Sequence, residues 1–347
     1  MTEQIAKLQE QVESSEAPRD LQENVLTRLD QLEGLKDSPT FLPELDRINR
    51  YITWIVSLPW AGRSKDRLNL DEARATLNKN HYGLSPLKER ILEYMSVMKL
   101  NIESRENLSK APILMFVGLV GTGKTTMASS IAEALGRPFA RIPFGGMGDP
   151  LDIRGQSRVH SDAEPGKIIK ALAQVKVKNP VILLDEIDRV TDAGRASIMG
   201  VLVELLDPEQ NKAFVDHYLD YPFDLSEVLF VATANNTTGI ATAVLDRLEP
   251  VRMPSYNDEE KITIARDFIL PRALQDASMS PESIEIAPEV WSTLVRPLGF
   301  DAGIRTLERT VKGLVRKVAK LKVEGKGEKF SITRENVKEF IPETTTY

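Results

Sequence analysis

Apolar residues fall in three successive rhythms along the chain. From residue 1 to about 62 they step by three and four, as in Ile5, Leu8 and Val12 and again in Val25, Leu29 and Leu32, with charges between them. That spacing predicts amphipathic helices. Their stripes either pack on each other or on the next domain, or form a self-associating coiled segment shorter than the usual run of about three heptads. Arg63 to Arg67 follows the apolar end at Leu58-Pro59-Trp60 and reads as a linker. From Leu84 to about Pro254, short apolar runs alternate with helical segments. The runs are Ile113 to Val117, Ala140 to Ile142, Val181 to Leu184, Val228 to Ala232 and Val251 to Met253. This alternation predicts an α/β domain with a parallel sheet buried on both faces, whose strand C-terminal ends are where ligands bind. After Pro254 the pattern turns mostly helical. Asn257 and Glu260 form a capping pair for a helix running to about Leu270, which Pro271 should kink or end. Leu307, Val311, Leu314, Val315 and Val318 stripe another helix, followed by a short strand at Phe330 to Thr333, a last helix from Arg334 and a tail from Pro342. The divisions expected are an N-terminal helical segment (1–62), an α/β domain (63–255) and a small helical domain (256–347).

Composition narrows the possible functions. Of 347 residues, 41% are hydrophobic and 28% charged, as in an ordinary globular chain. There are no cysteines, which excludes disulfides, thiolate metal sites and cysteine nucleophiles and suits a reducing compartment. The three histidines, His81, His160 and His217, stand too far apart in sequence to suggest a metal cluster. A formal net charge of -6 argues against nucleic acid as the main partner, because phosphate binding relies on lysine and arginine. The longest apolar run, around Pro112 to Val120, is about ten residues against the roughly twenty that a membrane span needs, so none is predicted. The acidic, helical start lacks the features of a signal or transit peptide, and the C-terminal residues form no address signal. The chain reads as a piece of something longer.

The chemistry concentrates at the predicted strand ends. Gly118-Leu119-Val120-Gly121-Thr122-Gly123-Lys124-Thr125 matches G-x-x-x-x-G-K-[ST] between a strand and a helical run. In this pattern glycines let backbone N–H groups fold around phosphate oxygens, Lys124 reaches the outer phosphates and Thr125 offers a hydroxyl to Mg²⁺. The cofactor expected is ATP or ADP with Mg²⁺. Val181 to Leu184 ends in Asp185, suited to the Mg²⁺ shell, and Glu186, suited to take the proton of an attacking water. A second acid favours hydrolysis over transfer to another substrate. Asn235, closing Ala232-Thr233-Ala234-Asn235, can orient the water or sense the terminal phosphate, or can be an ordinary turn asparagine. Arg247, just before the last strand, is a solvated charge in a monomer and an arginine finger on the neighbour's nucleotide in a ring. Arg305 can touch the phosphates from the small domain or simply start a helix.

Together these motifs resemble the AAA+ ATPases, whose members assemble as hexameric rings, and more narrowly the ATPase module of Lon proteases. The segment His81-Tyr82-Gly83-Leu84 with Lys88 to Tyr94 is similar to the family's adenine-side segment, although His81 and Tyr82 also suit ordinary packing beside a turn. Asp207 to Asn211, Asp216 to Tyr218, Pro222 to Leu225, Gly303 to Arg309 and Tyr51 to Trp60 match as well, so the likeness spans roughly residues 40 to 342. It implies a motor that threads unfolded or misfolded protein into a serine-lysine peptidase chamber, within a homohexamer. No Ser/Lys block follows the lid, so the peptidase domain is expected to be absent from this chain.

Some positions depart from the common Lon pattern. Leu119 and Val120 stand for two prolines, at sites that contribute backbone. In the substrate-gripping loop, Gly155 to Pro165, His160 and Ser161 replace the aromatic and aliphatic pair. A polar loop cannot wedge against a peptide as tyrosine does. The second central loop reads Arg195-Ala196-Ser197-Ile198. These divergences resemble the fungal peroxisomal branch, which implies the peroxisomal matrix, with the mitochondrial matrix as the alternative. Two other functions remain: a nucleic-acid-acting AAA+ ATPase, disfavoured by charge, and a non-hydrolysing nucleotide-dependent assembly module, which the altered loops would suit.

Overall fold

The computed structural model describes residues 2–103, 113–295 and 303–341. Three helices open it: α1 (Thr2–Glu13), α2 (Arg19–Glu33) and α3 (Phe41–Ser57). The stripes Ile5, Leu8, Val12 and Val25, Leu29, Leu32 are buried against one another and against α3, in a cluster continuous with one face of the main sheet. The expected partner of those stripes is therefore within the chain. Trp60 continues the contact, its ring centroid 5.0 Å from that of Phe223.

Residues 63–67, expected to be a linker, are instead tied down. Ser64 is bonded to Asn179, and Asp66 takes two 2.7 Å bonds from Arg137, whose side chain is almost wholly buried. A buried guanidinium needs a carboxylate partner, and that need fixes the strap.

The α/β core then runs α4 (Leu70–Asn80), α5 (Ser85–Glu103), β1 (Ile113–Val117), α6 (Lys124–Leu135), β2 (Phe139–Pro143), α7 (Leu151–Arg154), α8 (Lys167–Val175), β3 (Val181–Asp185) and α9 (Arg195–Leu206). A small antiparallel hairpin, β4 (Phe214–Asp216) and β5 (Tyr221–Phe223), precedes β6 (Leu229–Ala234), α10 (Thr242–Leu245) and β7 (Leu248–Arg252). The five main strands are parallel in the order β2-β3-β6-β1-β7. Alternate residues feed two cores. Met115, Ile182, Leu184, Phe230 and Ala232 enter the cluster shared with the N-terminal helices, while Leu114, Phe116, Val181, Leu183 and Val231 meet α4, α5 and α6. A strand apolar on both faces is stable only when both are covered. The edge strands β2 and β7 carry Pro143 and Pro250, where a missing N–H costs no ladder bond. The last strand lies earlier than the expected Val251 to Met253, because its ladder with β1 pairs Ile113 with Leu248 and Val117 with Arg252.

The small domain contains α11 (Asp258–Ile264), α12 (Leu270–Asp276), β8 (Ile284–Ile286), α13 (Val290–Val295), α14 (Arg305–Val323), β9 (Phe330–Ile332) and α15 (Val337–Phe340). Asn257 and Glu260 form the expected capping box. Pro271 does not end the helix. A single π turn at Ala265–Ile269 breaks the α register ahead of it and leaves Pro271 in the first turn of α12, where no N–H is required. The tail from Pro342 lies outside the described residues.

Candidate active site

The loop between β1 and α6 owes its shape to glycine. Gly121 and Gly123 have φ of 82° and 95°, a left-handed region that other residues enter at a cost. Gly118 lies so close to the strand end after β7 that a Cβ there would stand 2.5 Å from the Met253 carbonyl oxygen. The loop thus presents the N-terminal end of α6 to a cavity of about 160 Å³ lined by Val120, Gly121, Lys124, Thr125, Asp185, Glu186 and Arg305 among others.

Lys124 is 7% exposed, and its Nζ donates to the carbonyl oxygens of Gly118 (2.7 Å) and Leu119 (3.0 Å) and to Asn235 Oδ1 (3.2 Å). Burial lowers its pKa below the usual lysine value, and the carboxylates of Asp188, Asp185 and Glu186 oppose that shift. An under-solvated ammonium of this kind gains from an incoming phosphate. The contact also places Asn235 at the same edge, although it does not line the cavity, and its Nδ2 is buried without a partner. Thr125 and Asp185, both read from the sequence as magnesium ligands, lie together, with Oγ1 3.4 Å from Oδ1. Glu186 follows in a left-handed conformation, φ 58° and ψ 48°, with its N–H donated to Thr233 Oγ1 at 2.9 Å. Strain of this sort persists only where the surroundings over-determine it.

Arg305 lies at the start of α14. Ile304 N–H donates to the Gly121 carbonyl at 3.0 Å, and a Cβ on Gly303 would stand 2.4 Å from the Val120 carbonyl oxygen. The small domain therefore rests directly on the loop. Arg247 is held elsewhere. Its Nη2 donates to Asp207 at 2.8 Å and its Nη1 to the Ala243 carbonyl, and it does not line this chain's cavity. His81 and Tyr82 do not line it either. His81 is buried, with Nε2 2.9 Å from Ser130 Oγ on α6. Burial, then the nearby Lys88 charge, lower its pKa from 6.5 to about 4. Tyr82 packs edge-on against Phe268 of the small domain, 6.3 Å between centroids. Both residues thus brace the elements around the loop.

Three participants were not singled out from sequence. Thr233 donates to Asp185 Oδ1, Arg141 from β2 donates to Asp185 Oδ2, and one oxygen of Asp188 accepts the backbone N–H groups of Asn235 and Asn236. Thr233 lies inside the quoted Ala232–Asn235 strand end and Asp188 two residues beyond the quoted Asp185-Glu186 pair, whereas nothing local marks Arg141, because its role depends on β2 pairing with β3.

The central loops differ from each other. Residues 155–166 close on themselves through Gln156 and Glu164, and Gly166 N–H donates to Asp216 at 2.7 Å. His160 and Ser161 are exposed there. Arg195 to Ile198, expected as a loop, is instead the first turn of α9, with Ile198 fully buried in the core. An apolar residue at that position lets the helix begin there.

The donor set suits a magnesium-bound nucleotide. Backbone N–H groups at the start of α6 and a lysine can meet phosphate, a hydroxyl and a carboxylate offer hard oxygens, and an orphaned amide awaits an acceptor. Among the described residues there is no group of three or more histidines or acids that could hold a metal ion. Nor is any described helix long and apolar enough to cross a membrane.

Comparison with known proteins agrees with this arrangement. Residues 114–255 match the ATPase family associated with various cellular activities (AAA), and residues 275–331 match the Lon protease AAA+ ATPase lid domain. The chain is 46% identical over 294 residues to a Lon protease of Lawsonia intracellularis, covering 85% of this chain and 35% of that protein. It is 42% identical over 314 residues to Lon protease 2 of Thermus thermophilus, covering 87% and 39%. With a Lon protease of Heliobacterium modesticaldum the identity is 39% over 334 residues, covering 96% and 40%. The chain thus spans between 35% and 40% of the length of these curated relatives. A phosphate loop on a five-stranded parallel sheet, capped by a lid that touches that loop, and this similarity together show an AAA+ ATPase domain joined to a Lon-type lid, homologous to bacterial Lon proteases.

Proposed function

We propose that this chain is the ATP-hydrolysing motor of a Lon-type ATP-dependent serine protease, which unfolds and translocates protein substrates. The observation that carries the reading is the convergence of Lys124, Thr125, Asp185, Glu186 and Arg305 on one cavity at the end of β1. In this reading the loop N–H groups hold phosphate oxygens, and Lys124 exchanges its carbonyl partners for the outer phosphates. Thr125 and Asp185 would hold Mg²⁺, which when bound neutralises charge on the phosphoryl group. Glu186 accepts the proton of the attacking water, and Asn235, already at the Lys124 ammonium, orients that water or senses the terminal phosphate. Arg305 contacts the phosphates from the lid, and His81 and Tyr82 bound the adenine side.

Arg247 is assigned to a neighbouring subunit's nucleotide. Its bond to Asp207, away from its own cavity, supports a role across subunits of a homohexamer. The peroxisomal matrix and the fungal peroxisomal branch are proposed from the polar residues His160 and Ser161 in the central loop. Locating the tagged full-length protein in cells tests that placement.

Glu186→Gln tests the chemistry. Nucleotide affinity should stay near wild type while turnover falls by about 10² or more. Wild-type hydrolysis should rise on adding unfolded protein. Undiminished turnover in Glu186→Gln would contradict the assigned base.

A further inference from the structure

Asp185 is 3% exposed, and its two oxygens have different partners. Oδ1 takes the hydroxyls of Thr233 and, at 3.4 Å, Thr125. Oδ2 takes both prongs of Arg141, with Nε at 2.7 Å and Nη2 at 2.6 Å. Arg141 reaches it diagonally across the β2–β3 ladder, where Arg141 pairs with Leu183 and Pro143 with Asp185. The hydroxyls facing Asp185 are neutral, so the counter-charge in direct contact with it is this guanidinium. A buried carboxylate without one is strongly disfavoured. Yet the Arg141 side chain is 52% exposed, because β2 is an edge strand, and it can return to water cheaply.

We propose that Arg141 is a positioning residue of the magnesium subsite. It supplies the counter-charge to Asp185 in the absence of a divalent cation, holds the carboxylate with Oδ1 toward Thr125, and by its own charge raises the magnesium concentration needed for nucleotide binding. The proposal rests on the nucleotide reading above. Its logic is the division of the two oxygens: Arg141 saturates Oδ2 and leaves Oδ1 to hydroxyls that a cation can share. A positive charge fixed on the same carboxylate repels the incoming ion through a partly watery path, an effect of about threefold to tenfold on its affinity.

The test uses the full chain and two variants. Arg141→Gln keeps a hydrogen-bond donor and removes the charge, whereas Arg141→Lys keeps the charge and loses the fork. Binding of a fluorescent ADP analogue is titrated with Mg²⁺, and melting is recorded without metal or nucleotide. In Arg141→Gln the magnesium half-saturation should fall by about threefold to tenfold and the metal-free melting temperature should drop. In Arg141→Lys the half-saturation should stay within about twofold of wild type. An unchanged or raised half-saturation in Arg141→Gln, with ADP still bound by wild type, overturns the role of Arg141 alone. No ADP binding by wild type at any magnesium concentration overturns the nucleotide reading and this proposal with it.

Discussion

The loop at residues 118–123 is held along its length by its own glycine geometry, α6 and the lid, whereas the loop at 155–166 is held at its base and by a neighbouring helix. In the first, Gly118 fits against the Met253 backbone, Gly121 and Gly123 take left-handed φ, Lys124 folds back onto the carbonyls of Gly118 and Leu119, and the lid's Ile304 closes a bond onto Gly121. In the second, Asp216 gathers the N–H groups of Gly166, Tyr218 and Leu219, Arg158 sits 3.8 Å over the Tyr51 ring, and Arg50 reaches the Ser161 carbonyl. Between those ties Val159 is 82% exposed. A loop that must meet one invariant ligand, a phosphate chain, is best pre-set by backbone. A loop that must meet varied polypeptides is better left to its side chains. The first kind tolerates substitutions such as Leu119 and Val120 because its function uses main-chain groups. In the proposed motor, where the second loop would grip substrate, the exposed His160 and Ser161 would themselves form the gripping surface.

Three changes would sharpen this contrast. Gly118→Ala should have the largest effect, because its Cβ would meet the Met253 carbonyl at 2.5 Å and backbone must move. A loss of roughly 3 kcal/mol is expected, with weakened nucleotide binding, measured by denaturant unfolding and ADP titration. Next comes pH, through His81 behind the same loop. Its folded pKa is depressed from 6.5 to about 4, so the unfolded chain binds the proton first as pH falls through that window. Stability from the neutral ring is complete above 6.5 and declines below it, by roughly 2 kcal/mol at pH 5. His81→Gln should flatten that part of the stability profile in acid melts. The smallest of the three at the nucleotide site is Asp216→Ala, although it strands three buried backbone N–H groups at about 1–3 kcal/mol each. It should speed proteolysis within 156–165 and leave ADP affinity unchanged. A larger effect of Asp216→Ala than of Gly118→Ala on nucleotide binding would break the comparison.

Much of the fold could be read from the chain because its signals are local. The apolar run Ile113 to Val117, the glycines after it, the Asp185-Glu186 strand end and the Asn257 cap each fix their own backbone. What the sequence concealed depends on distant partners. Residues 63–67 look like a linker until Arg137 needs Asp66. Pro271 looks like a helix end until a π turn makes room for it. Arg141 is one surface arginine among many until β2 lies beside β3. Ile198 illustrates the converse: a position compared with a loop motif is claimed by the core as soon as an isoleucine occupies it.

The central claim, that the cavity after β1 holds a magnesium nucleotide through Lys124, is tested most directly by calorimetric titration of the wild type and of Lys124→Ala with ATP and Mg²⁺. Saturable binding of one nucleotide per wild-type chain, lost or weakened by about a hundredfold in the variant, is the predicted result. Absence of binding to the wild type, or equal affinity in Lys124→Ala, would contradict it.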